Sequence, residues 1–301
     1  MIERWFPVVP ARRLAALRIL VGGFAIIYLC TQLPFWIGYA RFDPRDFKPL
    51  GVVKLLSTPL PDAAHYATIV AAIGLAFAFT AGVRYRVVAP LFALALLWLL
   101  TYRNSWGTPF HTENLLVLHA IVLAIVPAAD AWSWDARRGP PRPDSERYGW
   151  PLRLCAAITA LTYVIAGIAK LRLGGWAWTS GEALRDQVAI DNLRKHLMGS
   201  AMSPIAAPLL PHAWLFGGLA LVSLAVELGA PLALLHRRIA AVWSVAAWGF
   251  HVGVLALMAI VFPYPIAVVA YAPLFRCERP IEWLIRTYRA LRTDAPGTST
   301  E

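Results

Sequence analysis

Residues 151–171 read PLRLCAAITALTYVIAGIAKL, a stretch in which only Arg153 and Lys170 carry charge. Its length and polarity match a helix that crosses a bilayer, which needs about 20 mostly apolar residues. Further apolar runs lie on either side, at 14–36, 66–83, 87–102, 112–126, 213–235, 239–261 and 266–275. The whole chain repeats the theme. Of 301 residues, 59% are hydrophobic and 15% charged, and the mean hydropathy is +0.58. A water-soluble domain needs more charge than that to cover its surface. The expected fold is an all-α, polytopic membrane helix bundle of about eight transmembrane helices.

Loop charges set the expected orientation. The runs at 66–83 and 87–102 are joined only by Arg84-Tyr85-Arg86, and those at 213–235 and 239–261 by His236-Arg237-Arg238. With these tips go Arg4, Arg12 and Arg13, then Arg137, Arg138, Arg142 and Arg147, and finally Arg276, Arg279, Arg286, Arg289 and Arg292. The opposite loops hold fewer basic residues: Arg41, Arg45, Lys48, Lys54, Arg103, Arg172, Arg185, Arg194 and Lys195. Dense arginine in short loops marks the cytoplasmic side, so both termini are expected there. The domain reading follows: 1–13 a cytoplasmic N-terminus, 14–275 the transmembrane domain, 276–301 a basic cytoplasmic tail that ends in disorder over 294–301.

The net charge of +11 reads as topology and contact with lipid headgroups, and nucleic acid is not an expected partner. Arg outnumbers Lys 24 to 4, a bias of GC-rich bacterial genes. Cys30, Cys155 and Cys277 have no paired spacing and read as packing residues, and no metal site is expected. The first run is long and closes without a small-residue cleavage site, so it reads as a retained helix. The run at 266–275 is short and edged by Pro263, Pro265 and Pro273. It is expected to be a kinked span or a segment buried by its neighbours. Two long outer segments, 37–65 and 172–211, complete the layout. Within the second, 181–196 has helical spacing and reads as an interfacial helix, beside an aromatic belt at Trp176 and Trp178.

Polar side chains at membrane depth are the informative ones, because burying them is expensive. Lys170 closes its helix at the outer end. His111 opens the fourth helix, with Glu113 and Asn114 beside it, and the spacing puts His111 and Asn114 on one face. At about 1.5 Å per residue, His119 falls roughly 12 Å deeper than His111, and His251 falls at a similar depth in the seventh helix. Glu227 sits lower in the sixth. A carboxylate there costs about 2.5–3.5 kcal/mol, so it is expected to be protonated or paired, with His251 the nearest partner by depth. These groups are expected to line one outward-facing polar cavity. Their bland readings are a snorkelling lysine, hydrogen-bonded packing histidines and an exposed loop histidine.

Two stretches resemble a known family. Tyr102-Arg103-Asn104-Ser105-Trp106-Gly107 leads into His111-Thr112-Glu113-Asn114-Leu115-Leu116, then His119, Pro127, Asp130 and Ser133. The other is Tyr163-Val164-Ile165-Ala166-Gly167-Ile168-Ala169-Lys170-Leu171, followed by Trp178-Thr179-Ser180-Gly181. Both resemble the HTTM (horizontally transferred transmembrane domain) family, as do Phe250-His251 and Ala272-Pro273-Leu274-Phe275, and the likeness covers about 12–275. The family includes the membrane part of vitamin K-dependent γ-glutamyl carboxylase. The resemblance implies that Lys170 is the catalytic base that deprotonates vitamin K hydroquinone, supported by His111 and with His251 near them. Asn114, Glu113, His119 and Trp178 are the expected substrate-binding residues. Vitamin K hydroquinone or menaquinol is the implied cofactor, and the implied setting is a multi-pass protein of the bacterial inner membrane. Apolar surroundings suit such a base, since they disfavour the charged form of a lysine.

Departures qualify that expectation. The carboxylase has a second lysine where this chain has Ala169, and the spacer from Lys170 to the Trp-x-x-Gly element is longer by three residues. No counterpart of the carboxylase's β-rich lumenal region follows the last apolar run, so a peptide or protein substrate is expected to be held by the bundle or by an accessory protein. Three alternatives stand beside the quinol-linked enzyme. One is a non-catalytic membrane factor for maturation or export of a peptide or protein. The second is a b-type haem protein using His119 and His251, and the third a transporter, although no pair of helices looks broken as in inverted-repeat transporters.

Overall fold

The protein is described from a computed structural model covering residues 5–107 and 109–293. Arg4, the segment 294–301 and the side chains of Arg289 and Arg292 lie outside the described residues. The helices, in order, are α1 (Ala11–Thr31), α2 (Leu33–Gly38), α3 (Asp62–Ala81), α4 (Tyr85–Asn104), α5 (Asn114–Ala124) and α6 (Glu146–Thr179). They continue as α7 (Glu182–Leu197), α8 (Ala206–Leu209), α9 (Ala213–Leu228), α10 (Arg237–Met258), α11 (Pro263–Ile266) and α12 (Glu278–Thr293). Among the described residues the only β pairing is the single bridge between Val9 and Ser145.

Five helices, α1, α3, α4, α6 and α10, are long and apolar enough to cross a membrane. The 112–126 and 213–235 runs give the shorter apolar helices α5 and α9. In the second of these, the chain passes at Gly229 into a 3₁₀ turn at Ala230–Leu234, where Pro231 lacks the N–H that an α-helix needs. The 266–275 run is not a long helix: it holds the end of α11 and a 3₁₀ stretch, Val269–Leu274, containing Pro273. Its backbone packs within the bundle, with Val269, Ala270 and Tyr271 buried. Apolar side chains such as Val70, Val242 and Val245 project outward from the long helices, as a lipid-facing surface requires.

Local signals explain the boundaries. Ser145 caps α6 by accepting from the Arg147 N–H at 3.3 Å, and His236 caps α10 by accepting from the Arg238 N–H at 3.2 Å. The left-handed Gly82 ends α3. Asp135 then accepts from the backbone N–H groups of Arg84 and Tyr85 at 2.9 and 2.8 Å, fixing the tip that opens α4.

The arginine-rich segments share one end of the bundle. There Val9 bridges Ser145, Arg13 pairs with Glu278 at 2.8 Å, Arg12 pairs with Glu282 at 2.8 Å, and Arg153 reaches the Leu234 carbonyl at 3.3 Å. Contacts at the opposite end join Trp36 to His65, Lys48 to Ser105, and α7 to the last turn of α10. The interfacial helix expected over 181–196 is α7, tied down by Asn192 donating to the Leu257 carbonyl at 2.9 Å and by Lys195 donating to that of Met258.

Candidate functional site at the Lys170–Glu227 pair

The site is built on the contact between α6 and α9. These helices run antiparallel, since Gly167 abuts Glu227 and Leu228 while Gly181 abuts Phe216 and Gly217. A β-carbon on Gly167 would lie 3.1 Å from Glu227 Cβ, so the absence of a side chain there permits the close approach. Lys170 lies three residues further on the same face. Side chains on a helix lean toward its N-terminus. Lys170 therefore reaches back along α6 while Glu227 leans back along α9, and the ammonium meets the carboxylate at 2.7 Å. Their side chains are 19% and 3% exposed. The partner of Glu227 is thus Lys170 and not His251, because the charged heads meet although their Cα positions differ in depth.

Aromatic rings wall the pair. Gly175 breaks α6 with φ 49 and ψ −127, a conformation that glycine alone adopts without strain. The chain turns there and carries the Trp178 ring to 4.8 Å from Lys170 Nζ, and the Phe250 ring lies 5.0 Å away. Both distances suit a cation–π contact. Three buried polar atoms around this centre have no hydrogen-bond partner: Glu227 Oε2, His251 Nδ1 and Trp178 Nε1. Buried polar atoms are nearly always paired. Others without a partner occur among the described residues, at Trp36, His65, Trp98 and Trp106 for example, so it is the gathering of three around one ion pair that singles out this centre.

His251, whose ring packs against Phe250 at 5.1 Å between centroids, heads a second polar chain. Its Nε2 is 2.8 Å from the Tyr163 hydroxyl, which is 2.8 Å from that of Tyr271. The Phe262 ring packs against both His251 and His111, at 4.7 and 5.6 Å between centroids. Trp243 stacks edge-on to Tyr163 at 5.0 Å and donates to the Val226 carbonyl at 2.8 Å. That bond fixes α10 against the residue preceding Glu227.

Lys170, His251 and Trp178 are therefore gathered, and His111 joins them through Phe262. His111 lies in the turn before α5, exposed, so it does not share a helix face with Asn114, which is also exposed. Glu113 belongs to a different group. It pairs with Arg103 at 2.5 Å and accepts from the Tyr28 hydroxyl at 2.9 Å. Burial opposes its charge, but Arg103 outweighs this and holds the carboxyl below its usual range. His119 is fully buried, with Nδ1 2.8 Å from the Tyr264 hydroxyl and Nε2 3.1 Å from the Cys155 carbonyl and 3.2 Å from Thr159 Oγ1. Both ring nitrogens are committed, so neither is left to bind a haem iron.

Tyr271, Trp243 and Phe262 carry no signal in the sequence, because their aromatic side chains blend into apolar runs, and Tyr163 is visible there only as the start of the stretch that resembles the family. Arg18 did carry a signal, as a lone charge within 14–36. It is completely buried and donates to the carbonyls of Ala128, Ala131 and Trp132 at 2.6, 3.3 and 2.5 Å, securing the turns that follow α5.

Several long apolar helices, enclosing a buried ion pair, define a multi-pass integral membrane protein of the all-α class. The HTTM domain family model matches residues 6–280, nearly the whole chain. The protein belongs to that family. No curated protein and no solved structure matches it.

Proposed function

We propose that this HTTM protein carries out quinol-linked proton chemistry at the Lys170–Glu227 centre, of the kind that the resemblance to the vitamin K-dependent carboxylase implies. The observation that carries the reading is a buried ion pair between aromatic walls, ringed by three polar atoms without partners. These features fit a hydroxyl-bearing ring: Trp178 and Phe250 supply aromatic walls beside the ammonium, and the free atoms offer hydrogen bonds.

A reduced quinone bound there would supply an acidic hydroxyl and, with oxygen, the means to form a stronger base. The chain's own residues orient the ring, exclude water, and receive the first proton. A lysine is a base only when neutral, and an ammonium held by a carboxylate is not. The pair, rather than Lys170 alone, is therefore the basic unit. In this reading the bundle lies in a bacterial plasma membrane with its arginine-rich end in the cytoplasm. The Lys170 centre then lies toward the outer face, where a peptide or small substrate would be carboxylated.

The test is turnover in nanodiscs, with reduced vitamin K or menaquinol plus oxygen and chromatography of the epoxide. Epoxide formed by the wild-type chain and absent with folded Lys170→Ala is the expected result. No epoxide from well-folded wild-type protein, with either quinol, overturns the reading in favour of a non-catalytic maturation or export factor.

A further inference from the structure

We infer that Glu227, through Oε2, is the atom that receives the proton, and that Lys170 remains an ammonium facing the oxyanion left behind. This deepens the proposed function and rests on it for the substrate class, an acidic ring hydroxyl of the phenol or hydroquinone type.

The two carboxylate oxygens of Glu227 differ. Oε1 is 2.7 Å from Lys170 Nζ, whereas Oε2 is buried and has no partner. A buried carboxylate oxygen with open lone pairs is a ready acceptor, and desolvation makes leaving it unpaired costly. Lys170 has its ammonium committed to Oε1 and to two ring faces, with no lone pair to offer. In the step, the O–H bond of the bound hydroxyl breaks, both electrons stay on its oxygen, and the proton forms a new O–H bond at Oε2. The number of charges in the site is unchanged. Before the step the ammonium faces a carboxylate, and afterwards it faces the new oxyanion. In a medium of low dielectric this is the easier course, because no isolated charge is created.

The test needs no turnover. Para-nitrophenol bearing an apolar tail is titrated into the protein in nanodiscs, well below the pH at which the free phenol ionises, so that the free probe is almost wholly protonated. Absorbance reports whether the bound probe is the phenolate. Calorimetry in buffers of different ionisation enthalpy counts the protons released. The expected wild-type result is a phenolate band with essentially no proton released, since the proton stays within the site. Glu227→Gln is expected to release about one proton per bound phenolate, or to lose the band, and Lys170→Arg is expected to keep the band. A wild-type phenolate band accompanied by about one released proton overturns the inference, and so does a bound probe that remains a phenol. Epoxide production is read separately, so a site that ionises the probe but oxidises no quinol refutes the proposed function and leaves the role of Glu227 standing.

Discussion

Two buried polar centres hang from the same face of α6, and they are finished differently. Around Thr159, His119 has both ring nitrogens bonded, to Tyr264 on one side and to Cys155 and Thr159 on the other. Nearer the Gly175 break, Lys170 and Glu227 form a pair whose surroundings leave a carboxylate oxygen, an imidazole nitrogen and an indole N–H unmatched. A saturated centre of hydrogen bonds locks helices together, and every atom in it is accounted for. An unsaturated one holds free energy in reserve for a ligand. The difference separates a histidine whose bonds are all made from a lysine whose surroundings are left open, although sequence presents both as polar residues in apolar helices.

The sharpest way to break this comparison is to remove half of the ion pair. Lys170→Ala leaves the Glu227 charge buried without its cation, and a loss of about 3–5 kcal/mol is expected, read by chemical unfolding in detergent. The double variant Lys170→Met with Glu227→Leu is expected to recover most of that stability while remaining inactive. A double variant no more stable than the single one would mean that the pair is not the unit described.

Next in size is the exchange of histidines. His119→Ala opens a cavity and strands the Tyr264 hydroxyl, so a cost of about 2–4 kcal/mol is expected with unchanged turnover per folded molecule. His251→Ala is expected to lower turnover strongly at a smaller cost in thermal stability. The reverse pattern, with His119 controlling turnover and His251 stability, would exchange the two roles.

Gly167→Ala tests the close approach that creates the pair. Its new methyl would lie 2.9 Å from Leu228 Cδ2 and 3.1 Å from Glu227 Cβ. Overpacking of this kind costs about 1–3 kcal/mol. Turnover is expected to fall with it, as α9 shifts away from Lys170, and kinetics of the purified variant measure that.

The smallest effect concerns the Arg103–Glu113 link, in which both carboxylate oxygens are bonded, to Tyr28 and to Arg103, while Arg103 Nε has no partner. The Glu113 carboxyl is held below its ordinary 4.5. Its contribution is therefore complete above that value and fades as the pH falls through the lower folded one. Melting temperatures recorded between about pH 5 and pH 3 are expected to fall less steeply for Glu113→Gln than for wild type.

Long apolar runs made most of the fold legible, because backbone in lipid has few solutions and a helix is the simplest. The runs at 14–36, 87–102, 151–171 and 239–261 all contain long helices. The 266–275 run takes the second of its two expected forms, a segment buried by its neighbours, because Pro263, Pro265 and Pro273 interrupt a helical hydrogen-bond ladder. Depth counting placed Lys170 and Glu227 apart because it tracks Cα atoms, whereas two long side chains on antiparallel helices lean toward each other. His111 and Asn114 were assigned one face on the assumption that the helix begins before both, and it begins at Asn114. The Ala166-Gly167-x-x-Lys170 motif was readable as a resemblance, but its physical sense, a gap followed one turn later by a charge, needed the neighbouring helix.

The stripe on α6 is also a matter of phase. Cys155, Thr159, Tyr163 and Gly167 follow one another at four-residue steps, with Lys170 close behind; the first two meet His119, Tyr163 meets His251, and the last two meet Glu227. One extra residue between Thr159 and Gly167 would turn everything beyond it by about 100° and swing Lys170 off Glu227. An extra four would turn it by only about 40° and nearly restore the face. The Lys170–Glu227 contact is therefore tied to a count of residues along a single helix, and an insertion in α6 is expected to disturb it more than a change of side chain on the opposite face.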